Sequence, residues 1–299
     1  MCAGTLYIVA TPIGNLADLT TRARDTLASA DHILAEDTRR ARVLLSHIGV
    51  EARPVSLHAH NEAGRVERVR RWLSRGADVA LVSDAGTPLL SDPGARVLRA
   101  AVDGGYPVVP LPGASAILAG LVASGLPCVP FTFVGFLPRK AGERARALER
   151  IIDARETTVL FEAPRRLVPL LEELAGLVDG AGGEGRGSRS GAPRRIAVCR
   201  EMTKVHEEVF RGTPAQGARH YGEKPPRGEV TVVIEGRPAA AGVADPEDVD
   251  SEAAAALADG LAPTVAAKRV ARATGVSRRD AYEAVMRAKR GKTGAGGAA

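Results

Sequence analysis

Residues 81–94, LVSDAGTPLLSDPG, join the end of an apolar segment to two turns. An apolar run over residues 79–82 stops abruptly at Ser83 and Asp84. Such a run is typical of a buried parallel strand whose carboxyl end opens into a loop. Open α/β sheets bind ligands at that edge, so we expect a ligand-binding loop here.

Residue types within this loop suit contact with a ligand. Gly86 permits a close approach of the backbone, while Asp84 and Thr87 offer a carboxylate and a hydroxyl. Asp92 is placed to cap the next helix, with Pro93 at the first helical position. An ordinary strand–loop–helix joint has the same pattern, so the ligand interpretation depends on further loops of this kind.

Predicted strands and helices alternate through the first part of the chain. The strands are residues 5–10, 32–35, 55–57, 79–82 and 108–111, and helices are predicted at 20–30, up to 47, at 62–75 and within 113–126. Polar or Gly-rich loops follow the strands: TPIGN at 11–15, EDTRR at 36–40, HAHN at 58–61 and PGASA at 112–116. The alternation predicts a doubly wound, mostly parallel α/β sheet.

The pattern changes after residue 126. Strands are predicted at 131–136, 157–161, 196–199, 207–210 and 230–234, the last two antiparallel, with helices at 141–154 and 164–177. Residues 180–194 are Gly-rich and predict a flexible loop.

These patterns predict the domain organisation. We expect α/β domains at 1–125 and 126–237, an acidic Ala-rich linker at 238–262, a basic helical pair at 263–290 and a disordered tail at 291–299.

The predicted helical pair carries its own start and stop signals. Thr264 is placed to cap the first helix and Gly275 to end it, while Ser277 with Asp280 is placed to cap the second. The predicted apolar stripes are Val265 and Val270 on one helix and Tyr282, Val285 and Met286 on the other. The remaining surface is basic: Lys268, Arg269, Arg272, Arg278, Arg279, Arg287, Lys289 and Arg290. Such a surface suits RNA phosphates, although a solvated basic face has the same composition.

Composition and charge indicate which kind of partner and which compartment to expect for the protein. The 299 residues carry a net charge of +6, which modestly favours a polyanionic partner. Three cysteines without ligand spacing, and no signal peptide, suggest a cytoplasmic protein. Residues 104–138 lack charge, but prolines divide them into pieces shorter than the roughly 20 residues of a membrane span. The apolar run 108–136 suits a core or a homodimer interface.

Several chemistries are disfavoured by missing motifs. Neither a dinucleotide fingerprint nor a Walker A lysine motif occurs, and Ser115 lacks a nucleophile elbow. His58 and His60 alternate on a segment predicted to be extended, which would point them to opposite faces and make a poor metal pair. Small polar loops at strand ends suit a compact, folded cofactor held without metal.

A run of motifs carries a family resemblance. LYIVATPIGNLADLT, AEDTRR, LHAHNE, LVSDAGTPLLSDPG, VVPLPGASA, FVGFLPRK, FEAPRR, CREMTKVHEEVFRG and GEVTVVIEG follow one another along residues 5–236. The chain resembles the bacterial family that 2′-O-methylates a cytidine ribose in 16S rRNA, within the tetrapyrrole methylase superfamily. Residues 180–194 look like an insertion relative to that family.

The resemblance implies a cleft between two α/β domains that binds S-adenosylmethionine. The positions that match the cofactor site are Pro12, Ile13, Gly14, Ser83, Asp84, Gly86, Thr87, Ser115, Ala116, Glu162, Glu201 and Thr203. It also implies a small ribosomal subunit as partner. A ribose hydroxyl is a poor nucleophile, so a base or a charge stabiliser would help. The candidates for that catalytic role are Asp37, His60, Glu201 and Lys204.

Two alternatives remain open at this stage. A tetrapyrrole C-methyltransferase would use the same fold and cofactor, although that branch favours Pro-Gly-Asp in its first loop where this chain has TPIGN. A non-catalytic RNA-binding assembly factor would not need Asp84 and Thr87.

Overall fold

The computed structural model of the chain describes residues 3–179, 194–237 and 246–294. Most of the predicted flexible loop at 180–194 lies outside these ranges. So do residues 238–245 of the predicted linker and 295–299 of the predicted tail. One compact unit, Met1–Leu177 with Arg194–Glu235, contains both β-sheets, and the C-terminal helices belong to a second unit.

The first sheet is fully parallel. Its strands are β1 (Leu6–Val9), β2 (His32–Ala35), β3 (Val55–Ser56), β4 (Val79–Val82) and β5 (Val108–Leu111), in the order β3-β2-β4-β1-β5. Helices α1 (Thr21–Ser29) and α2 (Thr38–His47) pack on one face, and α3 (Glu62–Ser74) and α4 (Ala95–Asp103) on the other. This is the predicted doubly wound arrangement.

Strand β4 shows why an apolar run lies at the centre of this sheet. Ala80 and Val82 pack with α1 and α2, while Val79 and Leu81 pack with α3 and α4. Because successive side chains point to opposite faces, a strand covered on both faces must be apolar at every position.

The second sheet mixes strand directions. Its strands are β6 (Phe131–Phe136), β7 (Thr157–Glu162), β8 (Ile196–Arg200), β9 (Glu208–Gly212) and β10 (Val230–Ile234), in the order β6-β7-β10-β8-β9. β9 and β10 run antiparallel to the other three, as predicted. One face packs against α6 (Ala141–Asp153), α7 (Pro164–Asp179) and α8 (Pro214–Glu223).

The other face of the second sheet packs against α5 (Ala116–Ser124), a helix that precedes it in sequence. Ile117 and Leu121 of α5 form one core with Val159, Ala197 and Val233 of the sheet. We expected a domain to end near residue 125; instead both sheets lie in one compact unit because α5 is packed on the second sheet.

The described residues of the second unit form three helices where two were predicted: α9 (Pro246–Ala258), α10 (Pro263–Thr274) and α11 (Arg278–Gly294). The linker prediction is therefore wrong for α9, and the tail prediction is wrong for residues 291–294. The Ala-rich segment that we predicted to be a linker instead forms one face of α9.

The core of this three-helix unit is made mainly of alanines. Its buried residues are Val249, Ala253, Ala256, Ala266, Ala267, Val270, Ala281, Ala284 and Val285. Val265 and Tyr282, predicted to be apolar contacts, are 53% and 43% exposed. Small side chains let three helices approach closely, so the larger residues on the neighbouring faces remain outside.

Helix caps in this unit were partly predicted. Gly275 ends α10 in the left-handed conformation, with φ 77°. Ser277 accepts a hydrogen bond from the Asp280 N–H at 3.1 Å. Thr264 does not cap α10, because the N-cap position is Ala262 and Pro263 occupies the first turn.

Candidate functional site

Two loops at the carboxyl edge of the first sheet are joined by hydrogen bonds. The Thr11 N–H donates to the Gly86 carbonyl at 2.9 Å, and the Gly86 N–H donates back at 3.0 Å. Gly86 has φ 77°, a conformation that favours glycine. The TPIGN and SDAGTP loops are thereby fixed to each other at the ends of β1 and β4.

A cavity of about 380 Å³ opens beside these loops. We call it the first cavity. Its volume lies within the range of about 300–1,000 Å³ typical of ligand sites. It brings together nine of the predicted residues: Ile13, Asp84, Gly86, Thr87, Ser115, Ala116, Glu162, Glu201 and Lys204. Pro12, Gly14 and Ser83 line an adjoining second cavity, which Ile13, Asp84 and Lys204 also line.

The hydroxyl groups near the first cavity mainly build its loops. Ser83 Oγ donates to the carbonyls of Ala85 and Gly86, and Thr87 Oγ1 donates to the Ala114 carbonyl at 3.3 Å. Ser115 caps α5 by accepting the Leu118 N–H at 3.5 Å. The polar groups left for a ligand therefore include backbone atoms, carboxylates and the Lys204 ammonium.

Asp84 connects the loop after β4 with the start of α2. Its Oδ1 accepts the Asp37 N–H at 2.9 Å, and its Oδ2 lies 3.6 Å from Arg40 Nη1. One carboxylate oxygen is thus held by the backbone, which orients the other.

The loop after β8 forms the opposite wall. Glu201 and Thr203 both have positive φ, at 51° and 67°, which is uncommon for residues with a side chain. Thr203 Oγ1 accepts the Asn15 N–H at 3.0 Å and so bonds this loop to the first loop. Thr203 itself lines neither cavity. At Gly14 an added Cβ would lie 2.5 Å from Lys204 Cγ.

Glu201 and Lys204 form an ion pair in the wall of the first cavity. Lys204 Nζ lies 2.9 Å from Glu201 Oε1. The Lys204 hydrogen bond lowers the pKa of Glu201, which makes that carboxylate a weak base. Lys204 suits the stabilisation of negative charge better than the uptake of a proton.

Glu162 is buried at the end of β7, and its carboxylate is held by two arginines. Arg144 Nη1 lies 3.3 Å from Oε2, and Arg166 Nε lies 3.3 Å from Oε1. The glutamate side chain is 0% exposed. Because both oxygens are engaged, Glu162 supports the cavity wall from within.

Asp92 lines the first cavity and was not predicted to do so. We expected it to cap α4, but the N-cap is Gly94, and the Glu62 carboxylate accepts the N–H groups of Gly94 and Arg96. Burial, followed by the nearby carboxylates of Glu36 and Asp84, raises the pKa of Asp92 to about 7. A hydrogen bond with Ser83 opposes that shift.

The same acidic surroundings affect Glu36. Burial and then the charge of Asp84 raise its pKa, while Arg40 lowers it in part. The sequence does indicate this acidic cluster, because Glu36, Asp84 and Asp92 all lie in loops that end neighbouring strands. By contrast, no pattern in the sequence indicates that the distant Glu62 caps α4 and thereby frees Asp92.

The remaining catalytic candidates lie away from the first cavity. Asp37 caps α2, and side-chain and backbone hydrogen bonds from Arg39 lower its pKa to about 2. His60 is exposed and lines neither cavity. Neither residue is therefore placed as a base in the cavity.

His58 and His60 do not lie on an extended segment, contrary to our expectation. Residues 59–61 form a turn in which the His58 carbonyl accepts the N–H groups of Asn61 and Glu62. The two rings consequently lie 6.0 Å apart. Within the described ranges no cluster of three His, Cys, Asp or Glu side chains could hold a metal ion. Among the same residues, no helix is long and apolar enough to span a bilayer.

Comparison with known proteins identifies the family to which the chain belongs. The model of the tetrapyrrole (corrin/porphyrin) methylases matches residues 5–216. A uroporphyrin III C-methyltransferase from Thermus thermophilus has a similar fold, with a TM-score of 0.51 and 20% identity over 78% of this chain and 97% of that one. The chain belongs to the tetrapyrrole methylase family.

Relatives narrow the assignment within that family. A Mesorhizobium japonicum protein named ribosomal RNA small subunit methyltransferase I is 44% identical, over 95% of this chain and 92% of its own length. A Bacillus subtilis protein of the same name is 43% identical, over 83% of this chain and 78% of its own. The chain is similar to these proteins along most of its length.

Proposed function

We propose that the chain is an S-adenosylmethionine-dependent methyltransferase that 2′-O-methylates the ribose of a cytidine in the decoding region of 16S rRNA. The observation that carries this proposal is the first cavity, built from the TPIGN, SDAGTP and PGASA loops at three adjacent strand ends. The names of the relatives support ribosomal RNA as the substrate class.

The residues around the first cavity fit S-adenosylmethionine. Ile13, Met202 and Phe161 offer apolar surface, and the carboxylates of Asp84 and Asp92 suit a ligand with positive charge. Gly86 and Ala116 bring the backbone to the cavity wall. When bound, the cofactor would supply an electrophilic methyl group.

Asp92 is our candidate for the proton acceptor. As the ribose oxygen gains its methyl group, its proton must leave to a base or to water. A carboxyl group with a pKa near 7 can accept a proton at neutral pH, whereas Asp37 and Glu201 have lowered pKa values. Lys204, in the wall of the cavity, would stabilise negative charge on the acceptor.

We further propose that the three C-terminal helices bind RNA phosphates. α9 and the residue after it neutralise part of the predicted basic surface, because Arg269 pairs with Glu252 and Asp259, and Arg287 pairs with Asp250. Lys268, Arg272 and Arg278 are exposed and make no ion pair within the described ranges. These three cations therefore remain for a phosphate backbone.

The salt dependence of RNA binding tests that role. Replacing Lys268, Arg272 and Arg278 together with alanine should reduce the slope of log affinity against log salt by about 2–3, since each lost phosphate contact contributes a little under one unit. Alanines at Arg22, Arg75 and Arg155, exposed in the other unit, are the matched control. Equal slopes for both triple variants would exclude the C-terminal role.

A homodimer with a cytoplasmic location completes the proposal. The edge strand β6 exposes Phe131, Val134 and Phe136, the last by 55%. An exposed apolar edge is a common site of association. Sedimentation of the wild-type chain and of Val134→Lys, which lines neither cavity, tests this, and a monomeric wild type would exclude it.

Transfer of label tests the reaction. Purified chain, methyl-labelled S-adenosylmethionine and unmethylated small subunits should yield labelled RNA, with the label on a cytidine ribose after nuclease mapping. Label on a base, on an added tetrapyrrole, or on nothing would refute the proposal.

A further inference from the structure

The second cavity, about 200 Å³, adjoins the first across a shared wall. Ile13, Asp84 and Lys204 line both cavities. Because the same side chains line both cavities, a ligand in the second would lie directly beside a ligand in the first. Two reactants that must meet need such an arrangement.

One face of α2 gives the second cavity its chemistry. Arg40, Val43 and Leu44 line it and lie three and four residues apart, which puts them on one side of a helix. Leu16 lines it from the first loop. Val43 is 66% exposed and Leu16 37% exposed, so apolar surface is open to a flat ligand beside a cation.

Of the two cations that line this cavity, Arg40 is held loosely, whereas Lys204 is paired with Glu201 at 2.9 Å. Arg40 Nη1 lies 3.6 Å from Asp84 and 4.0 Å from Glu229, and Lys204 Nζ lies 3.7 Å from Glu229. These distances exceed the 2.7–3.2 Å of N–H···O hydrogen bonds. Arg40 therefore keeps its donors for an anion that enters the cavity.

We propose that the second cavity binds the acceptor nucleotide, with its base against Leu16 and Val43 and its phosphate at Arg40. This inference rests on the proposed function and assigns the substrate side of that site. The volume of about 200 Å³ is below the range of about 300–1,000 Å³ of pockets that enclose drug-sized ligands, which disfavours a macrocycle as the occupant.

Arg40→Ala is the first test, with Arg42→Ala as its control. Arg42 lies on the same helix, is exposed and lines neither cavity, since two residues turn an α-helix by about 200°. With unmethylated small subunits, Arg40→Ala should raise KM about tenfold, as expected for a lost charge-assisted hydrogen bond. Its affinity for S-adenosylmethionine, measured by calorimetry, and the KM of Arg42→Ala should stay within about twofold of wild type.

Val43→Glu is the second test and introduces a charge that repels phosphate. Val43 is exposed, so the variant should fold, and Val102→Glu on α4, where Val102 is 56% exposed, is the matched control. Val43→Glu should raise KM for subunits, whereas Val102→Glu should not.

The outcomes separate this inference from the proposed function. Wild-type methylation of RNA, with Arg40→Ala and Val43→Glu both equal to their controls, would overturn the acceptor site and leave the proposed function intact. Equal losses of cofactor affinity and subunit KM in Arg40→Ala would also overturn it. No transfer by wild type to subunits would overturn both.

Discussion

The two sheets contribute to the first cavity in different ways. All five strands of the first sheet run parallel, so their carboxyl ends collect at one edge, and the loops after β1, β4 and β5 meet there. In the second sheet, the edge at the cavity joins the ends of β7 and β8 to the start of β10, as the pairing of Val230 with Glu162 and Arg200 shows.

We infer from this difference that the first sheet binds the ligand and the second sheet supports the cavity. The first sheet presents backbone atoms and the carboxylates of Asp84 and Asp92, of which Asp84 is bonded mainly to the Asp37 N–H. The second presents groups that are already paired, such as Glu162 with its arginines and Glu201 with Lys204. Substitutions in the first sheet should therefore affect ligand affinity, and substitutions in the second should affect stability.

Glu162→Ala tests the supporting role of the second sheet and should have the largest effect. Removing this carboxylate leaves Arg144 and Arg166 without their buried partner, which should lower the free energy of unfolding by about 3–5 kcal/mol. Denaturant unfolding measures the loss, with Glu173→Ala as control because Glu173 is 42% exposed in its pair with Arg144. A loss below that of Glu173→Ala would contradict the supporting role.

Asp84→Ala tests the binding role of the first sheet. The Asp84 side chain is 28% exposed and accepts the Asp37 N–H, so its loss should lower the free energy of unfolding by about 1 kcal/mol. Affinity for S-adenosylmethionine should fall by about 1–3 kcal/mol if the carboxylate accepts a ligand hydrogen bond. Calorimetry on the folded variant measures this, with Asp103→Ala on α4 as control. Unchanged affinity would remove Asp84 from the site.

Gly120→Ala tests the close packing of α5 on the second sheet. An added Cβ would lie 2.9 Å from Thr231 Cγ2, so the variant should be less stable by about 1–3 kcal/mol. Gly64→Ala in α3 is the matched control, because nothing lies within 4 Å of its Cβ and alanine favours helix by about 0.5–1 kcal/mol. The two changes should have opposite signs in thermal unfolding; equal signs would show that α5 tolerates the extra atom.

Asp92, in the first sheet's loop, should have a smaller effect, on how the free energy of unfolding depends on pH. Its pKa is about 7 in the folded chain against an ordinary 3.8, so the folded state binds a proton that the unfolded state has released. This contribution to the free energy of unfolding is fully present below about pH 4 and is lost as the pH rises through 7. Asp92→Asn should remove it.

Two measurements check the Asp92 prediction. The difference in stability between wild type and Asp92→Asn should change across that range of pH, and parallel profiles would contradict the raised pKa. As a base, Asp92 must be ionised, so wild-type kcat/KM should rise through pH 7 while that of Asp92→Asn should not.

Local patterns predicted most of the first sheet and its loops. The apolar run at 79–82 and the turn residues after it are sufficient, because parallel strands bring their carboxyl ends to one edge. Gly86 and Asp84 could be singled out for the same reason. The interpretation of Ser277 and Gly275 as caps also needed only neighbouring residues.

Interactions between distant residues could not be predicted in this way. Glu62 caps α4 from 32 residues before Gly94, and only that contact frees Asp92 for the cavity. α9 resembles a linker because alanine and acidic residues are common to both, and only its packing against α10 and α11 distinguishes them. The turn at His58 likewise depends on Asn61, whose side chain accepts the His58 N–H at 2.9 Å.

The position of α5 has a consequence for how the chain folds during synthesis. Gly120 of α5 contacts Cys199, 79 residues later, and Ile117 and Leu121 pack against Val233. The apolar face of this helix therefore emerges from the ribosome long before the strands that cover it. Contacts of such sequence separation slow folding and expose surface prone to aggregation. We expect nascent chains ending between α5 and β10 to bind chaperones, and release to follow synthesis of β10.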